Sequence, residues 1–211
     1  MLKINFYVCV SSVNRNIYKC INSIANQNNS NKIELCLIEN SKKSTINKFR
    51  IKRILKLKNI KIKFFLEKKI GIPFARNKCL EIIRKSKSDI SCFVDDDCEL
   101  SDNWLKNMLK LYKKNTSLII TGPQISKMRN IYEIVLERKN NHNEKIKWAA
   151  TNNVLFKSSI LKYKKLKFDI KLNKFSMGED QLFFSQLNKM GYKIIWSKNI
   201  KVYESYHEKR S

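Results

Sequence analysis

Three consecutive aspartates, Asp95, Asp96 and Asp97, close the apolar run Ile90-Ser91-Cys92-Phe93-Val94. Carboxylates packed this closely repel one another unless something neutralises them. A divalent metal is the usual partner, because hard cations take oxygen ligands. A second acidic pair, Glu179-Asp180, follows Gly178 at a helix start, where the dipole favours acids. The third cluster is Gly71-Ile72-Pro73-Phe74-Ala75-Arg76-Asn77. Pro73 suits the first turn of a helix, so Arg76 sits where a cation opposes the dipole. Propensity does not explain it, whereas a positioned anion such as phosphate would. Carboxylates that hold a metal, a metal and Arg76 that hold phosphates, and Glu39 accepting hydrogen bonds from a ribose or base describe one ligand. With a separate carboxylate to take a proton, the chemistry is transfer of a group from a nucleotide diphosphate.

These residues need a frame that brings them together. Ile4 to Val10, Ile33 to Ile38, Ile60 to Leu66, Ile90 to Val94 and Leu118 to Thr121 read as strands. Between them Ile17, Cys20, Ile21, Ile24 and Ala25 recur at helical spacing. A weaker helix is expected near Thr45 to Leu55. Another follows Pro73 with Ala75, Cys79, Leu80 and Ile83 inward, and one capped by Ser101 carries Trp104, Leu105, Met108, Leu109 and Tyr112. Strands alternating with helices imply βαβ units and a mainly parallel sheet. Ligands then sit beyond the carboxyl ends of the strands. Three of those ends are polar: Ser11-Ser12 with Asn14-Arg15, Glu39-Asn40-Ser41, and the aspartates.

The second half is less regular. Ile131 to Glu137 fits a strand or a helix, Asn140 to Lys147 reads as a mobile polar loop, and Asn153 to Phe156 as a short strand. Gly178-Glu179-Asp180 opens a helix with Leu182, Phe183, Leu187 and Met190, which Gly191 ends. Lys193 to Trp196 reads as a strand and the tail after Lys198 as charged. No repeat or linker divides the chain, so one domain is expected, with a half of about 1–122 and a half of about 123–211.

The chain has 211 residues, 43% of them hydrophobic, which suits one sizeable globular core and excludes disorder. The net charge is +26. Lysines are scattered through every segment beside abundant Ile and Asn, so most of that charge reads as compositional bias, with a residual pull toward anionic lipid. Few aromatics interleave with the lysines, and no nucleic-acid reader motif is present. Six cysteines show neither a C-x-x-C pair nor zinc-finger spacing; Cys9, Cys36 and Cys92, inside apolar runs, read as buried free thiols of a reducing compartment. No signal peptide or membrane-spanning stretch is evident, so a cytoplasmic protein is expected, with peripheral association at the inner membrane face.

Ordered blocks over nearly the whole chain resemble family 2 glycosyltransferases of the GT-A fold, a Rossmann-like α/β architecture. Val8 to Arg15 is similar to the opening strand and loop, and Cys36 to Ser41 to the second-strand block, where the family usually has Asp in place of Glu39. Gly71 to Asn77 resembles a G-x-x-x-A-R-N block, and Phe93 to Asp97 the DxD motif. Ala150 to Phe156 and Gly178 to Phe184 resemble acceptor-side blocks. Each block alone is common, and their order is specific.

The resemblance implies an inverting hexosyl transfer from a nucleotide diphosphate sugar, a UDP-sugar above all, to a glycan or glycolipid hydroxyl of cell-envelope type. The implied cofactor is divalent Mn or Mg. Asp97 and Asp95 would meet the metal, with Asp95 near the ribose and Asp96 supporting the turn. Ser11, Asn14, Arg15, Glu39, Arg76, Asn77, Asp95 and Asp96 would line the nucleotide-sugar side. Asp180 would be the general base, with Glu179 orienting it or touching the acceptor. Trp148, Asn152 and Asn153 would lie on the acceptor side. Family members often carry a further His ligand near this core's end; His207 is the candidate, and Glu204 matches that block as well. Related enzymes often continue into membrane-associating helices, so a minimal acceptor-binding part is expected here. A nucleotidyltransferase is the alternative enzyme, but Ser11 to Arg15 lacks the glycine-rich phosphate loop it would need. A nucleic-acid-binding protein is the non-enzymatic alternative. A degenerate transferase that binds donor without turnover is a further one.

Overall fold

Alternation along the first strand, β1 (Lys3–Val10), sets the layering. Ile4, Phe6, Val8 and Val10 point to one face of the sheet and Tyr7 to the other. The computed structural model describes residues 1–11, 15–27, 30–56, 58–114, 118–126, 143–162, 165–174 and 178–205. Helix α1 (Arg15–Ala25), strand β2 (Lys32–Asn40), helix α2 (Lys48–Lys56), strand β3 (Lys61–Glu67), helix α3 (Ile72–Lys85) and strand β4 (Ile90–Val94) follow in βαβ order. Then come β5 (Cys98–Leu100), α4 (Trp104–Lys114), β6 (Ile119–Thr121), β7 (Gln124–Ser126), β8 (Glu144–Ile146) and β9 (Asn153–Lys157). The chain continues with a short α5 (Ser159–Lys162), a 3-10 turn (Ile170–Lys174), α6 (Glu179–Lys189), β10 (Ile194–Trp196) and β11 (Val202–Glu204).

Eight strands form one sheet in the order β3-β2-β1-β4-β9-β6-β10-β8. The run β3-β2-β1-β4 is parallel throughout, while β9 is antiparallel to both its neighbours and β8 is antiparallel to β10. The expected mainly parallel α/β sheet is therefore observed. On one face Ile17, Cys20, Ile21 and Ile24 of α1, Ile51 and Leu55 of α2, and Trp104 and Met108 of α4 pack on β1 and β2. On the other, Ala75, Cys79, Leu80 and Ile83 of α3 meet Phe183, Phe184 and Leu187 of α6. The chain steps outward from β1 to β2 to β3, then returns through α3 to β4 on the other side of β1. That reversal makes the carboxyl ends of β1 and β4 a topological switch point, the place where α/β sheets leave a crevice for ligands.

A second sheet, β5-β11-β7, had no sequence signal. It matters because β11 pairs Glu204 with Cys98, and the Ser205 N–H donates to the Asp97 carbonyl at 2.9 Å. Residues 202–205 are thereby brought beside the aspartate turn.

Four local expectations are corrected. Ser101 does not cap α4; the helix begins at Trp104, and Asn103 supplies the first helical carbonyl, to Asn107 N–H. The second helix starts at Lys48 rather than near Thr45, because Asn47 caps it through Arg50 N–H while Thr45 is held by Glu39. Within the polar stretch 140–147, residues 144–146 form β8, an edge strand needing only one partner, so its low apolar content hid it. Leu182 and Met190 are exposed, and α6 packs instead through Phe183, Phe184 and Leu187. The segment 131–137 lies outside the described residues. All six cysteines are free thiols, and all but the half-buried Cys9 are buried.

Candidate functional site

The aspartates form a tight turn at the end of β4. The Cys98 N–H donates to the Asp95 carbonyl at 3.1 Å, and the Cys20 thiol of α1 donates to the same oxygen at 3.4 Å. Asp96 occupies a central turn position. Asp97 is buried, and the Cys98 thiol donates to its Oδ1 at 3.6 Å. Asp95 keeps 38% of its side chain open, although protein atoms ring its carboxyl. That carboxyl is pushed up to about 6: burial raises it most, Arg76 opposes, and Asp97, Asp180 and Glu204 raise it further. Four acidic groups from three distant segments thus share one pole.

Arg76 is the cation of that pole. It is 8% exposed, pairs with the Glu179 carboxylate through Nη1, and places Nη2 3.7 Å from Asp95 Oδ1. Its guanidinium also lies over the Phe168 ring, 5.9 Å from the centroid. Burial alone would lower its pKa, but Asp95, Asp180 and Glu179 outweigh that and raise it. The anion that the sequence demanded beside Arg76 is therefore internal. Glu179, 3% exposed, is bound to Arg76, which takes it away from an acceptor-facing place. Asp180 is half-buried at the start of α6; its Oδ2 accepts the Thr151 N–H at 3.3 Å and its Oδ1 the Gln181 N–H at 2.8 Å. Its carboxylate acts electrostatically on both Arg76 and Asp95, so the two acidic motifs do meet.

The remaining expected residues separate into rim and scaffold. Ser11 is exposed at the end of β1. Arg15 opens α1, while Asn14, His142 and His207 lie outside the described residues. Glu39 is buried at the end of β2 and turned onto its own loop. It accepts from Ser44 Oγ at 2.6 Å, from Thr45 N–H at 2.5 Å and from Thr45 Oγ1 at 2.8 Å. Burial pushes its carboxyl up, but these bonds and one from the Ile46 N–H prevail and hold it below the usual range. Asn77 clamps the Phe168 backbone, donating to its carbonyl at 2.9 Å and accepting its N–H at 2.8 Å. It thereby fixes the ring under Arg76 and is not itself turned toward a nucleotide. Trp148 is 46% exposed. Asn152 donates to Gln124 Oε1, and Gln124 donates to Glu204 Oε2 at 2.5 Å. Asn153 is fully buried: it accepts the Trp104 indole N–H at 2.8 Å and donates to the Pro123 and Ile200 carbonyls. With its amide committed it cannot face a sugar.

Sequence reasoning missed several contributors. Phe168 and Gln124 lie in no motif, while Thr151, Glu204 and Asn40 lie in the blocks named above without the contacts they make being evident. Asn40 donates to the Glu67 and Lys69 carbonyls and accepts the Gly71 N–H at 2.8 Å, fixing the entry to α3. Gly71 has φ 136°, and a Cβ there would overlap the Asn173 amide. A shallow groove of about 550 Å³ lined by Glu99, Asn103, Asn107, Lys201 and Tyr203 lies on the small sheet and includes none of the acidic groups above.

The acidic pole suits a hard cation. Among the described residues no three His, Cys, Asp or Glu side chains form a closed cage. One or two carboxylates that leave positions open for phosphate oxygens are the usual setting for Mg and similar ions. Asp95 and Asp97 meet that description, and the carboxyl of Asp95, held up by crowded negative charge, is a group that a cation would relieve.

The family model for glycosyl transferase family 2 matches residues 7–183. Solved structures resemble the chain over almost its full length. TarS of S. aureus is 17% identical with a TM-score of 0.69, over 97% of this chain and 37% of that one. TarS 1–349 of S. aureus in complex with UDP-GlcNAc is 17% identical with a TM-score of 0.68, over 98% of this chain and 59% of that one. GalNAc-T7 with UDP, GalNAc and Mn2+ is 13% identical with a TM-score of 0.75, over 99% of this chain and 44% of that one. These neighbours have the GT-A fold, and so does this chain. The chain spans well under two thirds of the length of each. No curated protein matches it.

Proposed function

The chain belongs to glycosyl transferase family 2, and on that premise we propose that it is a glycosyltransferase that moves a sugar from a nucleotide diphosphate sugar to a hydroxyl acceptor with inversion. One observation carries this reading: Arg76 joins Asp95, at the end of β4, to Glu179, at the start of α6. That juxtaposition sets Asp180 across from the aspartate turn. The donor binds over β1, β2 and β4, in the half of about 1–122, and the acceptor approaches from the half of about 123–211.

Asp180 is the general base. Two backbone N–H groups hold its carboxylate, and it takes the proton of the acceptor hydroxyl as that oxygen attacks the anomeric carbon. The bond from that carbon to the diphosphate oxygen breaks on the opposite face, and the nucleoside diphosphate leaves with the electron pair. Asp95 and Asp97 would hold a divalent ion, Mn or Mg, which supplies charge neutralisation to the leaving phosphates. Arg76 keeps Asp95 placed, and Ser11 at the end of β1 and Arg15 at the start of α1 would meet the nucleotide. UDP is the proposed nucleotide, since the neighbours' structures contain UDP, UDP-GlcNAc and Mn2+. The acceptor class is a cell-envelope glycan or glycolipid, worked on at the cytoplasmic face of a membrane. Free thiols support a reducing compartment, and no helix among the described residues is long and apolar enough to cross a bilayer.

A thermal-shift screen of nucleotides and nucleotide sugars, with and without Mn, tests the donor site. Ligand at a hundred times its Kd stabilises by about 2.7 kcal/mol, so a clear rise in Tm is expected for a UDP compound with the metal. Asp180→Asn should keep that shift and lose turnover by about 10²–10⁴-fold. No shift with any nucleotide would overturn the donor site, and normal turnover in Asp180→Asn would overturn the base.

A further inference from the structure

The residues from Ser41 to Leu66 include ten lysines and arginines and no acid. Charge alone decides little in a chain of net charge +26. What distinguishes this region is apolar surface set among the cations. Phe49, in the first turn of α2, is 78% exposed, and Ile70, in the link from β3 to α3, is 53% exposed beside Lys68 and Lys69. Exposed large apolar side chains among cations mark interaction surfaces more than isolated ones do.

The two segments belong to one corner. Both follow the carboxyl ends of the neighbouring strands β2 and β3. Consecutive side chains at the end of β2 tie them down. Glu39 holds Ser44 and Thr45, which lead into α2, and Asn40 holds the Glu67 and Lys69 carbonyls and the Gly71 N–H, which lead into α3. The corner is thus preorganised, and it lies at the same end of the sheet as the aspartate turn. Its acidic groups face inward or are occupied: Glu39 is buried on its loop, and Glu67 accepts the Lys69 N–H at 2.9 Å.

We propose that this corner docks on an anionic phospholipid bilayer, Phe49 and Ile70 entering the headgroup boundary and Lys42, Lys43, Lys68 and Lys69 meeting the lipid phosphates. Interfacial binding combines buried apolar area with attraction to anionic headgroups, and both are present here. A single-stranded nucleic acid would want a row of stacking rings. The rings beside α2 are otherwise covered, Tyr18 by Arg50 at 4.0 Å and Phe64 by Lys48 at 5.6 Å. Docked in this way, the open end of the donor crevice lies beside the membrane, within reach of a lipid-linked acceptor. This surface deepens the membrane-face placement above and is independent of the donor chemistry.

Co-sedimentation of the full chain with phosphatidylglycerol-rich and with pure phosphatidylcholine vesicles tests it. Binding is expected to the anionic vesicles only. Lys42→Gln/Lys43→Gln/Lys68→Gln should weaken it roughly a hundredfold, and the charge-neutral Phe49→Ala/Ile70→Ala about tenfold. Met190→Ala, an exposed apolar site at the end of α6, should bind as wild type, and Lys106→Gln/Lys110→Gln/Lys113→Gln on α4 should lose far less than the corner triple. Equal binding to neutral vesicles, an α4 triple as weak as the corner triple, or Phe49→Ala/Ile70→Ala binding as wild type would overturn the surface. The UDP-induced rise in Tm, measured on the same variants, should be unchanged, so a failed surface and a failed donor site give different results.

Discussion

Replacing Arg76 should expose how the two halves of the site depend on one buried cation. Arg76 and Glu179 are 8% and 3% exposed, so Arg76→Met leaves the Glu179 carboxylate in the interior with no counter-charge. Breaking a buried pair from one side costs about 3–5 kcal/mol. The lost contact with the Phe168 ring, 5.9 Å away, adds up to about 1 kcal/mol. Asp95 contributes less, since its carboxylate is partly open at 3.7 Å and screened. The single variant should therefore lose about 3–5 kcal/mol from a stability that is about 5–15 kcal/mol for a typical domain. Removing both charges in Arg76→Met/Glu179→Met deletes the orphan, and a buried pair replaced by apolar side chains is often neutral. The double variant should recover about 2–3 kcal/mol of the loss. Urea unfolding at pH 7, with m-values compared, measures each corner of this cycle. A single variant that costs less than about 1 kcal/mol, or a double variant no more stable than the worse single, would refute the buried bridge.

The Asp95 carboxyl gives two further outcomes, and the Gly71 backbone a third. The Asp95 carboxyl, raised to about 6, must lose its proton before it can hold a cation; Mn-dependent nucleotide binding should therefore fall about tenfold per pH unit below that value, in titrations at fixed ionic strength. The stability sign is opposite: the folded chain keeps this proton to a higher pH than the unfolded chain, so ion-free stability falls as pH rises from about 4 toward 6, and Asp95→Asn should raise urea stability at pH 7 by under about 1 kcal/mol once solvent screening of the partly open group is allowed for. Gly71→Ala should cost about 2 kcal/mol or more, because φ is 136° and the new Cβ meets the Asn173 amide; a variant as stable as wild type would show that this entry to α3 is not constrained.

The periodic elements were legible because burial writes its period into the sequence. The strands Ile4 to Val10 and Ile90 to Val94, with their helices, appear almost where expected, and they place the aspartates at a strand end. Strands β5, β7, β8 and β11 are three residues each, too short to show alternation, and are defined only by partners far along the chain. Residue type also fails to distinguish an amide that greets a ligand from one that ties the fold. Asn77 and Asn153 are both of the second kind, and nothing local marks them. Arg76 was anomalous in its helix turn, and that anomaly was readable. Its partner lies 103 residues away, and only the fold could supply it.

The charge distribution now bears on how a donor would be chosen. The chain as a whole is strongly positive, yet its crevice is negative: Asp95, Asp97, Asp180 and Glu204 act together, and Arg76 is already matched by Glu179. The outer field draws a diphosphate inward from a distance, and salt should weaken that attraction. Close to the aspartate turn the same diphosphate meets like charge. A bare nucleotide is therefore steered toward the crevice and then resisted, while one carrying a divalent cation presents positive charge to the carboxylates. On the proposed donor site, metal dependence would then follow from the arrangement of charge, before any ligand geometry is considered. The selectivity belongs to the pole as a whole, because removing any one carboxylate weakens the repulsion of the bare nucleotide as well as the hold on the cation.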